Sequence, residues 1–235
     1  MALMDHLREL RSRVIYSVLA LFAGMGVSML FTKNAIEALT GLCQVCIIIV
    51  VDPTESFISY FRVALILGLV VAMPVILYQA VAFLVPALHQ HERRWLYILL
   101  PTATVLFALG LAFGYFLVLP RTIDFLSRFF SDLTRPGTKE MLIQTHWTLA
   151  NYIAFVTNML LICGLAFETP MVVYSLAKIG ILSPSLMSRY RRHAILGFAI
   201  LAAVLTPTPD PFTMLMVMLP MYLLYESGLI MARFF

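Results

Sequence analysis

The sequence predicts an all-α integral membrane protein with six transmembrane helices, and two observations carry this prediction. Hydrophobic residues make up 62% of the 235-residue chain and charged residues only 12%, with a mean hydropathy of +0.95. So few charges do not cover the surface of a water-soluble globule of this size. The chain also contains six apolar runs, and a helix of roughly 20 apolar residues spans a bilayer. The runs lie at about 14–31, 57–85, 95–119, 152–176, 194–206 and 212–231.

The first run is predicted to be an uncleaved span within a single membrane domain, residues 1–235. Val14 to Phe31 has the length of a span and is followed by polar residues rather than by a small-residue cleavage site. No stretch of the chain is rich enough in Pro, Gly or Ser to serve as a linker between domains.

The distribution of Lys and Arg predicts that both termini are cytoplasmic. With six spans, the termini share a side with the second and fourth loops. That side carries Arg8, Arg11, Arg13, Arg93, Arg94, Lys178, Arg189, Arg191, Arg192 and Arg233. The opposite side carries Lys33, Arg121, Arg128, Arg135 and Lys139, and Arg62 lies just inside a span. The net charge of +4 therefore reflects topology, and no basic stripe interleaved with aromatics predicts nucleic-acid binding.

Two outer loops, Lys33–Ser56 and Arg121–Ala150, contain local signals for helices. In the first loop, Asp52 or Thr54 can cap a helix that begins near Glu55. The second loop opens with RTIDFLSRFFSDL, in which apolar residues recur at helical spacing. We expect that segment to lie along the outer membrane interface as an amphipathic helix.

The fifth and sixth spans are predicted to be short. Only about 13 apolar residues separate His193 from Pro207, which gives roughly 20 Å of helix against roughly 30 Å of hydrocarbon. The sixth contains Pro220 and Glu226. Two interpretations stay open: the pair thins the bilayer locally, or polar flanks extend both helices into the headgroup region.

Prolines lie in the second, fourth and sixth spans, at Pro74, Pro170 and Pro220. Each removes a backbone donor and bends its helix. The bends either curve the bundle into a cupped shape or are ordinary packing kinks, and the sequence leaves both open.

Glu168, in GLAFETPMVVY, is the one acid well inside a predicted span. An ionisable group at the centre of a membrane helix costs at least about 2.5 to 3.5 kcal/mol on insertion scales. The carboxyl therefore either faces a watery concavity with a function, or hydrogen-bonds to backbone that Pro170 has freed.

The segment PALHQHERR, between the second and third spans, concentrates ionisable groups. His89, His91 and Glu92 supply at most two or three metal ligands with no matched set elsewhere, so no metal site is predicted. Glu92 opens the third span, where the helix dipole favours an acid. At the water boundary it can equally accept a two-pronged pair from an incoming guanidinium, with Glu9 as a second acid on that face.

The sequence contains three cysteines and none of the common catalytic motifs. Cys43 and Cys46 form CQVC on the outer side, where they are either disulfide-bonded or free thiols. Cys163 is predicted to be a small core residue. The sequence contains no HExxH, GxSxG or P-loop pattern, so neither an enzyme nor a cofactor is predicted.

Six stretches in order along the chain resemble the TatC family, the multispanning subunit of the twin-arginine protein translocase. They are DHLRELRSR, MPVILYQAVAFLVPALHQHERR, LAFGYFLVLP, FETP, TPTPDPFT and MLPMYLLYE. The resemblance implies a cupped, glove-like bundle with both termini in the cytoplasm of a bacterium and with short final spans. The sequence departs from the family pattern at DPTES, where the family usually reads SPTEP, and at CQVC.

The resemblance also implies a role for particular residues. It assigns binding of the Arg-Arg signal peptide of folded cargo to Glu92, with Glu9, Arg11, Phe83, Arg93 and Arg94 on the same surface. It places Glu168 on the concave face and Asp210 in the short outer loop. The implied partners are TatA-like and TatB-like single-span subunits docked at the last two spans, with self-association and with energy from the proton gradient. The alternative is a proton-coupled small-solute transporter, which paired broken helices around a polar site at mid-membrane would indicate.

Overall fold

The computed structural model describes residues 2–43, 47–84, 93–133, 146–178, 184–206 and 210–234, and these residues are almost entirely helical. The helices are α1 (Ala2–Ser28), α2 (Thr32–Thr40), α3 (Pro53–Leu84), α4 (Arg93–Phe113), α5 (Leu119–Leu133), α6 (Leu149–Phe167), α7 (Thr169–Lys178), α8 (Pro184–Arg189), α9 (Arg191–Leu205) and α10 (Pro211–Phe234). A π-helical turn, Gly114–Val118, joins α4 to α5, and two short strands are β1 (Ile47–Ile49) and β2 (His146–Thr148).

Five of the six predicted spans each lie along one continuous run of helix, and the fourth, 152–176, is divided at Glu168 into α6 and α7. Five stretches of the described residues are long and apolar enough to cross a membrane: Leu7–Ser28, Pro53–Phe83, Leu99–Ser127, Leu149–Ala177 and Pro211–Arg233. The fifth predicted span is α9, whose 15 residues give about 22 Å of helix, less than the hydrocarbon thickness. The sixth lies within the 24 residues of α10, which include Glu226 and Arg233 and bring that helix to crossing length.

The two segments predicted to be outer loops contain more regular structure than the sequence predicts. The first predicted loop includes α2, and β1 pairs in parallel with β2, which matches Ile47 with His146 and Ile49 with Thr148. The Tyr152 hydroxyl donates a 2.7 Å hydrogen bond to the Leu39 carbonyl and so ties α6 to α2. Pairing between segments so distant in sequence depends on tertiary contacts, which no local pattern reveals.

Of the two residues predicted to cap a helix near Glu55, Asp52 is the one whose side chain accepts the capping hydrogen bond. Its carboxylate accepts a 2.9 Å bond from the backbone N–H of Thr54, and α3 begins at Pro53. That backbone hydrogen bond lowers the pKa of the Asp52 carboxyl below its usual value.

The RTIDFLSRFFSDL segment is helical, as predicted, but it is continuous with the third span. Helix α4 runs through the π-helical turn directly into α5. Its position along the outer membrane interface stays a prediction.

Two of the three cysteines are described, one disulfide-bonded and one a free thiol. Cys43 is disulfide-bonded, which is one of the two alternatives for CQVC, and Cys46 lies outside the described residues. Cys163 is a buried free thiol, as predicted.

The core is densest around α6. Tyr152, Ile153, Val156 and Met159 are fully buried there, together with Leu119 of α5. A second cluster joins α7, α8 and α10 through Val173, Met187, Tyr225 and Leu229. Pro74 and Pro220 lie inside uninterrupted helices, whereas Pro170 follows a break at Glu168 between α6 and α7.

Helix α1 packs mainly against α3, and two glycines allow the backbones to touch. A Cβ at Gly68 would lie 2.5 Å from the backbone nitrogen of Met25, and one at Gly24 would lie 2.5 Å from the carbonyl oxygen of Gly68. The helices are antiparallel, because Tyr60 donates to the Met29 carbonyl at one end while Arg13 contacts Gln79 at the other.

An ion pair fastens the short α9 to α10. The Nε and Nη2 atoms of Arg191 each lie 2.9 Å from a different oxygen of Glu226, and the Tyr222 hydroxyl donates to Glu226 at 3.0 Å. Such a two-pronged pair fixes orientation as well as distance.

We expect Arg191→Gln to lower the unfolding free energy by up to about 1 kcal/mol, the upper range for a largely exposed ion pair. Thermal unfolding in detergent measures the effect. The matched control is Arg192→Gln, which removes the same charge from the exposed neighbouring residue. Equal destabilisation by the two variants would show that the ion pair contributes nothing beyond net charge.

Candidate functional site

The predicted site residues fall into two groups according to what the structure describes. Glu9, Arg11 and Phe83 are described, on α1 and α3. Arg93 and Arg94 form the first residues of α4, of which the helical backbone is described. Glu92, which precedes α4 in the sequence, lies outside the described residues, as do His89 and His91.

Arg13 links the predicted acid Glu9 to the neighbouring helix. Its Nη2 atom lies 3.3 Å from Oε1 of Glu9, one turn earlier on α1. Its Nη1 atom donates a 3.0 Å hydrogen bond to the side-chain oxygen of Gln79 on α3. Both charged side chains are partly exposed, by 30% for Arg13 and 31% for Glu9. The carboxylate is therefore held at a boundary that a ligand from water can reach.

This contact brings three of the predicted residues to one end of the α1–α3 pair. Because the helices are antiparallel, Glu9 lies one turn beyond the contact on α1 and Phe83 one turn beyond it on α3. Arg11 is exposed on the same part of α1. We call the group of Glu9, Arg13, Gln79 and Phe83 the Glu9 cluster.

An apolar groove of about 440 Å³ begins at the Glu9 cluster and runs between the two helices. Its polar lining atoms come from Arg13, Gln79 and Ser17, and the Ser17 hydroxyl already donates to the Arg13 carbonyl. The other lining residues are Leu10, Val14, Val18, Leu21, Ile76, Ala80 and Phe83. From Leu10 to Leu21 the groove extends along about 16 Å of helix. Its charged mouth and apolar length suit an extended or helical segment with a basic start and an apolar continuation.

Glu168 lies at the break between α6 and α7 and is only 7% exposed. Its Oε1 atom is buried without a hydrogen-bond partner among the described residues. Its backbone carbonyl, by contrast, accepts bonds from Met171 and Val172, both at 3.0 Å. The alternative in which the Glu168 carboxyl hydrogen-bonds to backbone that Pro170 has freed therefore has no support at Oε1. Burying an acid without a hydrogen-bond partner costs stability.

Asp210 caps the last helix. Its Oδ1 atom accepts a 2.7 Å bond from the backbone N–H of Thr213, while its Oδ2 atom is buried with no partner among the described residues. The hydroxyls of Thr206 and Thr213 are also buried without a hydrogen-bond partner among the described residues. One carboxylate oxygen of Asp210 therefore caps α10, and the other is buried without a hydrogen-bond partner among the described residues.

Arg62 is an interior cation that the sequence shows only as a charge just inside a span. It lies about 14 Å along α3 from the helix start. Its Nε donates to Thr157 at 3.3 Å and its Nη2 to Asn158 at 2.9 Å, so it joins α3 to α6 through neutral acceptors. Pairing with a polar partner on another span is the usual way in which such a charge is accommodated. The partners cannot be read from the sequence, because they are far from Arg62 along the chain.

The described residues contain no group of three or more His, Cys, Asp or Glu side chains that could hold a metal ion. Sequence reasoning missed Arg13 and Gln79 as members of the site. The Glu-x-x-x-Arg spacing of Glu9 and Arg13 signals a pair on one helix face. The contact with Gln79 depends on how α1 and α3 pack, for which the sequence offers no comparable signal.

The comparisons with known proteins agree with this architecture. A family model described as Sec-independent protein translocase protein (TatC) matches residues 5–220. A Sec-independent protein translocase protein TatC from Carboxydothermus hydrogenoformans is 35% identical over 238 residues, which cover 100% of this chain and 93% of the relative. One of the same name from Akkermansia muciniphila is 38% identical over 86% of this chain, which spans only 56% of that longer relative.

A solved structure has the same fold. The crystal structure described as Twin Arginine Translocase Receptor TatC superposes with a TM-score of 0.83 at 34% sequence identity, covering 97% of this chain and 98% of that chain. The match confirms the predicted fold class of a membrane-embedded helical bundle.

Proposed function

This chain belongs to the TatC family of Sec-independent protein translocase proteins, and we propose that within the translocase it binds the Arg-Arg signal peptide of folded cargo. It is a multi-pass membrane protein and a subunit of a protein translocase, not an enzyme. Family membership favours this function over the small-solute transporter that the sequence left as the alternative.

The observation that carries the proposal is the Glu9 cluster at the mouth of the apolar groove. A carboxylate that already holds one guanidinium, partly exposed and next to an apolar channel, has the chemistry to receive an arginine followed by apolar residues. Signal peptides have that order, with a basic segment before an apolar core. The apolar core would lie between α1 and α3 along the groove.

Glu92 is proposed as the principal acceptor of the arginine pair, with Glu9 as the second acid. The third span starts with Arg93 directly after Glu92, and α3 ends at Leu84 beside Phe83, so the connection between these helices leaves from the end that carries the Glu9 cluster. Arg11, Arg93 and Arg94 are proposed to complete that surface. Glu168 is proposed to act in transport, after the signal peptide has bound. Asp210 is proposed to lie in the short outer loop between the last two spans.

We also propose how this chain assembles with its partners and lies in the membrane. TatA-like and TatB-like single-span subunits would dock beside α10 and the short α9, and copies of this chain would associate with one another. The chain would reside as one domain in a bacterial plasma membrane with both termini in the cytoplasm. The density of Lys and Arg near the helix ends on that side supports this orientation.

We expect the purified protein in detergent to bind a synthetic Arg-Arg signal peptide more tightly than its Lys-Lys variant. Lysine keeps the charge but lacks the planar fork that matches a carboxylate. Glu92→Ala should weaken Arg-Arg binding by roughly ten- to a hundred-fold, the range for losing hydrogen bonds to a charged group, and should remove the preference for arginine. Fluorescence anisotropy of a labelled peptide measures both quantities.

The matched control is Glu37→Gln, which removes an exposed acid on α2 at the opposite end of the bundle. It should leave both affinities unchanged. If Glu92→Ala and Glu37→Gln behave alike, Glu92 serves only to begin its helix, and the proposed receptor site is wrong at that residue.

A further inference from the structure

We propose that an anionic phospholipid binds beside Arg62, with its phosphate on the guanidinium and one acyl chain in an apolar slot next to α3. The guanidinium and the slot meet at Thr157, which lines the slot and whose hydroxyl accepts a 3.3 Å hydrogen bond from Nε of Arg62. This lipid site shares no residue with the Glu9 cluster, so it does not depend on the proposed function.

The position of Arg62 along α3 is suited to contact with lipid headgroups. Arg62 is about 26 Å from Gln79 along the helix, at 1.5 Å per residue. Gln79 belongs to the Glu9 cluster, whose charged side chains are partly exposed. The hydrocarbon core of a bilayer is about 30 Å thick. With the Glu9 cluster at one water boundary, Arg62 is therefore close to the opposite boundary, where the phosphates of the other leaflet lie.

The charge of Arg62 has no anionic partner among the described residues. Its Nε and Nη2 atoms donate to Thr157 and Asn158, both of which are neutral. A guanidinium has five N–H donors, so these two bonds leave three for another acceptor. A phosphate fits this vacancy, because it carries the opposite charge and accepts the two-pronged hydrogen bonds that arginine offers.

The slot has the lining that an acyl chain requires. Its volume is about 350 Å³, and residues of α2, α3, α4, the π-helical turn and α6 surround it. Its polar lining side chains are those of Thr157 and Tyr115, and the Tyr115 hydroxyl already donates to the Ala38 carbonyl. The slot extends along α3 from Val63, next to Arg62, to Val70, which is about 11 Å further toward the bilayer centre.

The slot is accessible from the surface of the bundle. Phe116, one of its lining residues, is 76% exposed. The helices on either side belong to the apolar stretches Pro53–Phe83 and Leu99–Ser127, which are long enough to cross a membrane. The opening therefore meets lipid rather than water. A cation at the headgroup level, followed by an apolar slot that runs inward, matches the order of groups in an anionic phospholipid.

We expect phosphatidylglycerol to bind the delipidated protein in detergent more tightly than diacylglycerol with the same acyl chains, which lacks the phosphate. Asn158→Asp should remove this preference. The new carboxylate has nearly the shape of the amide and takes the position 2.9 Å from Nη2 of Arg62, so it neutralises the guanidinium from within the protein. The affinity for phosphatidylglycerol should fall roughly ten- to a hundred-fold, the range for losing hydrogen bonds to a charged group. The rise in unfolding temperature at increasing lipid concentration measures each affinity.

Three further variants test the parts of the site separately. Asn151→Asp adds the same charge at an exposed position of α6, about 11 Å from Asn158, and should leave the preference for phosphatidylglycerol unchanged. Ala38→Phe places a ring in the slot from the exposed side of α2 and should lower the affinity for both lipids. Arg62→Lys keeps the charge without the fork and should keep most of the preference.

Each contrary result overturns a definite part of the proposal. If phosphatidylglycerol and diacylglycerol stabilise the wild-type protein equally, there is no phosphate site. If Asn158→Asp keeps the preference as Asn151→Asp does, the phosphate does not bind at Arg62. Loss of the preference in Arg62→Lys but not in Asn158→Asp would mean that Arg62 only ties α3 to α6. Unchanged affinities in Ala38→Phe would show that the acyl chain lies outside the slot.

Discussion

Replacing Gly68 with leucine is expected to separate α1 from α3 and to abolish binding of the Arg-Arg peptide. The Cβ alone would lie 2.5 Å from the Met25 backbone nitrogen and 2.6 Å from its Cα, contacts that only a backbone shift relieves. Overpacking a core by methylene groups costs about 1 to 3 kcal/mol, and a clash with backbone should cost at least the upper value. The expected measurements are a clearly lower unfolding temperature in detergent and peptide binding at background.

The chain offers a matched control for this variant in Gly26. A Cβ added at Gly26, on the neighbouring helix, meets nothing within 4 Å. Gly26→Leu makes the same chemical change, directed into open space that lipid or detergent fills. It should keep wild-type stability and peptide affinity. If Gly68→Leu is as stable as Gly26→Leu and still binds the peptide, the close packing of α1 on α3 does not shape the groove.

The long apolar helices could be predicted from sequence because one physical quantity, apolar length, indicates them. The predicted runs fall on helices, with the fourth divided into α6 and α7, and the shortness of α9 follows from the distance between His193 and Pro207. Apolar length does not indicate how far a helix extends beyond its apolar run. Helix α1 begins at Ala2 rather than near Val14, since DHLRELRSR continues it on the polar side.

The parts of the site that sequence could not predict are those that depend on tertiary contact. The acid Glu9 was identified through motif resemblance, but Gln79, which accepts a hydrogen bond from the Arg13 that pairs with Glu9, becomes a neighbour only when α1 packs on α3. The same holds for Arg62 with Asn158, and for β1 with β2. The local sequence pattern therefore predicts which residues are candidates for a site, whereas the packing of the helices determines which of these residues are in contact.

Glu168→Gln is expected to leave signal-peptide binding intact and to lower transport at least about tenfold, the factor that a loss of roughly 1.4 kcal/mol produces. Glu168 lies at the α6–α7 break and the Glu9 cluster on α1 and α3, and no described hydrogen bond or ion pair joins the two. Glutamine keeps the shape and removes the charge. Peptide anisotropy and export of a folded reporter from cells measure the two effects separately.

The stability of Glu168→Gln decides whether the acid is structural. The buried, unpaired Oε1 implies that the carboxyl opposes folding, because an acid at mid-membrane costs about 2.5 to 3.5 kcal/mol on insertion scales. The variant should therefore unfold at the same or a higher temperature while transport falls. Glu37→Gln, at an exposed position on α2, should change neither quantity. Parallel loss of stability, binding and transport would mean that Glu168 supports the bundle; retained stability with lost transport would mean that the cost of burying this acid is maintained for translocation.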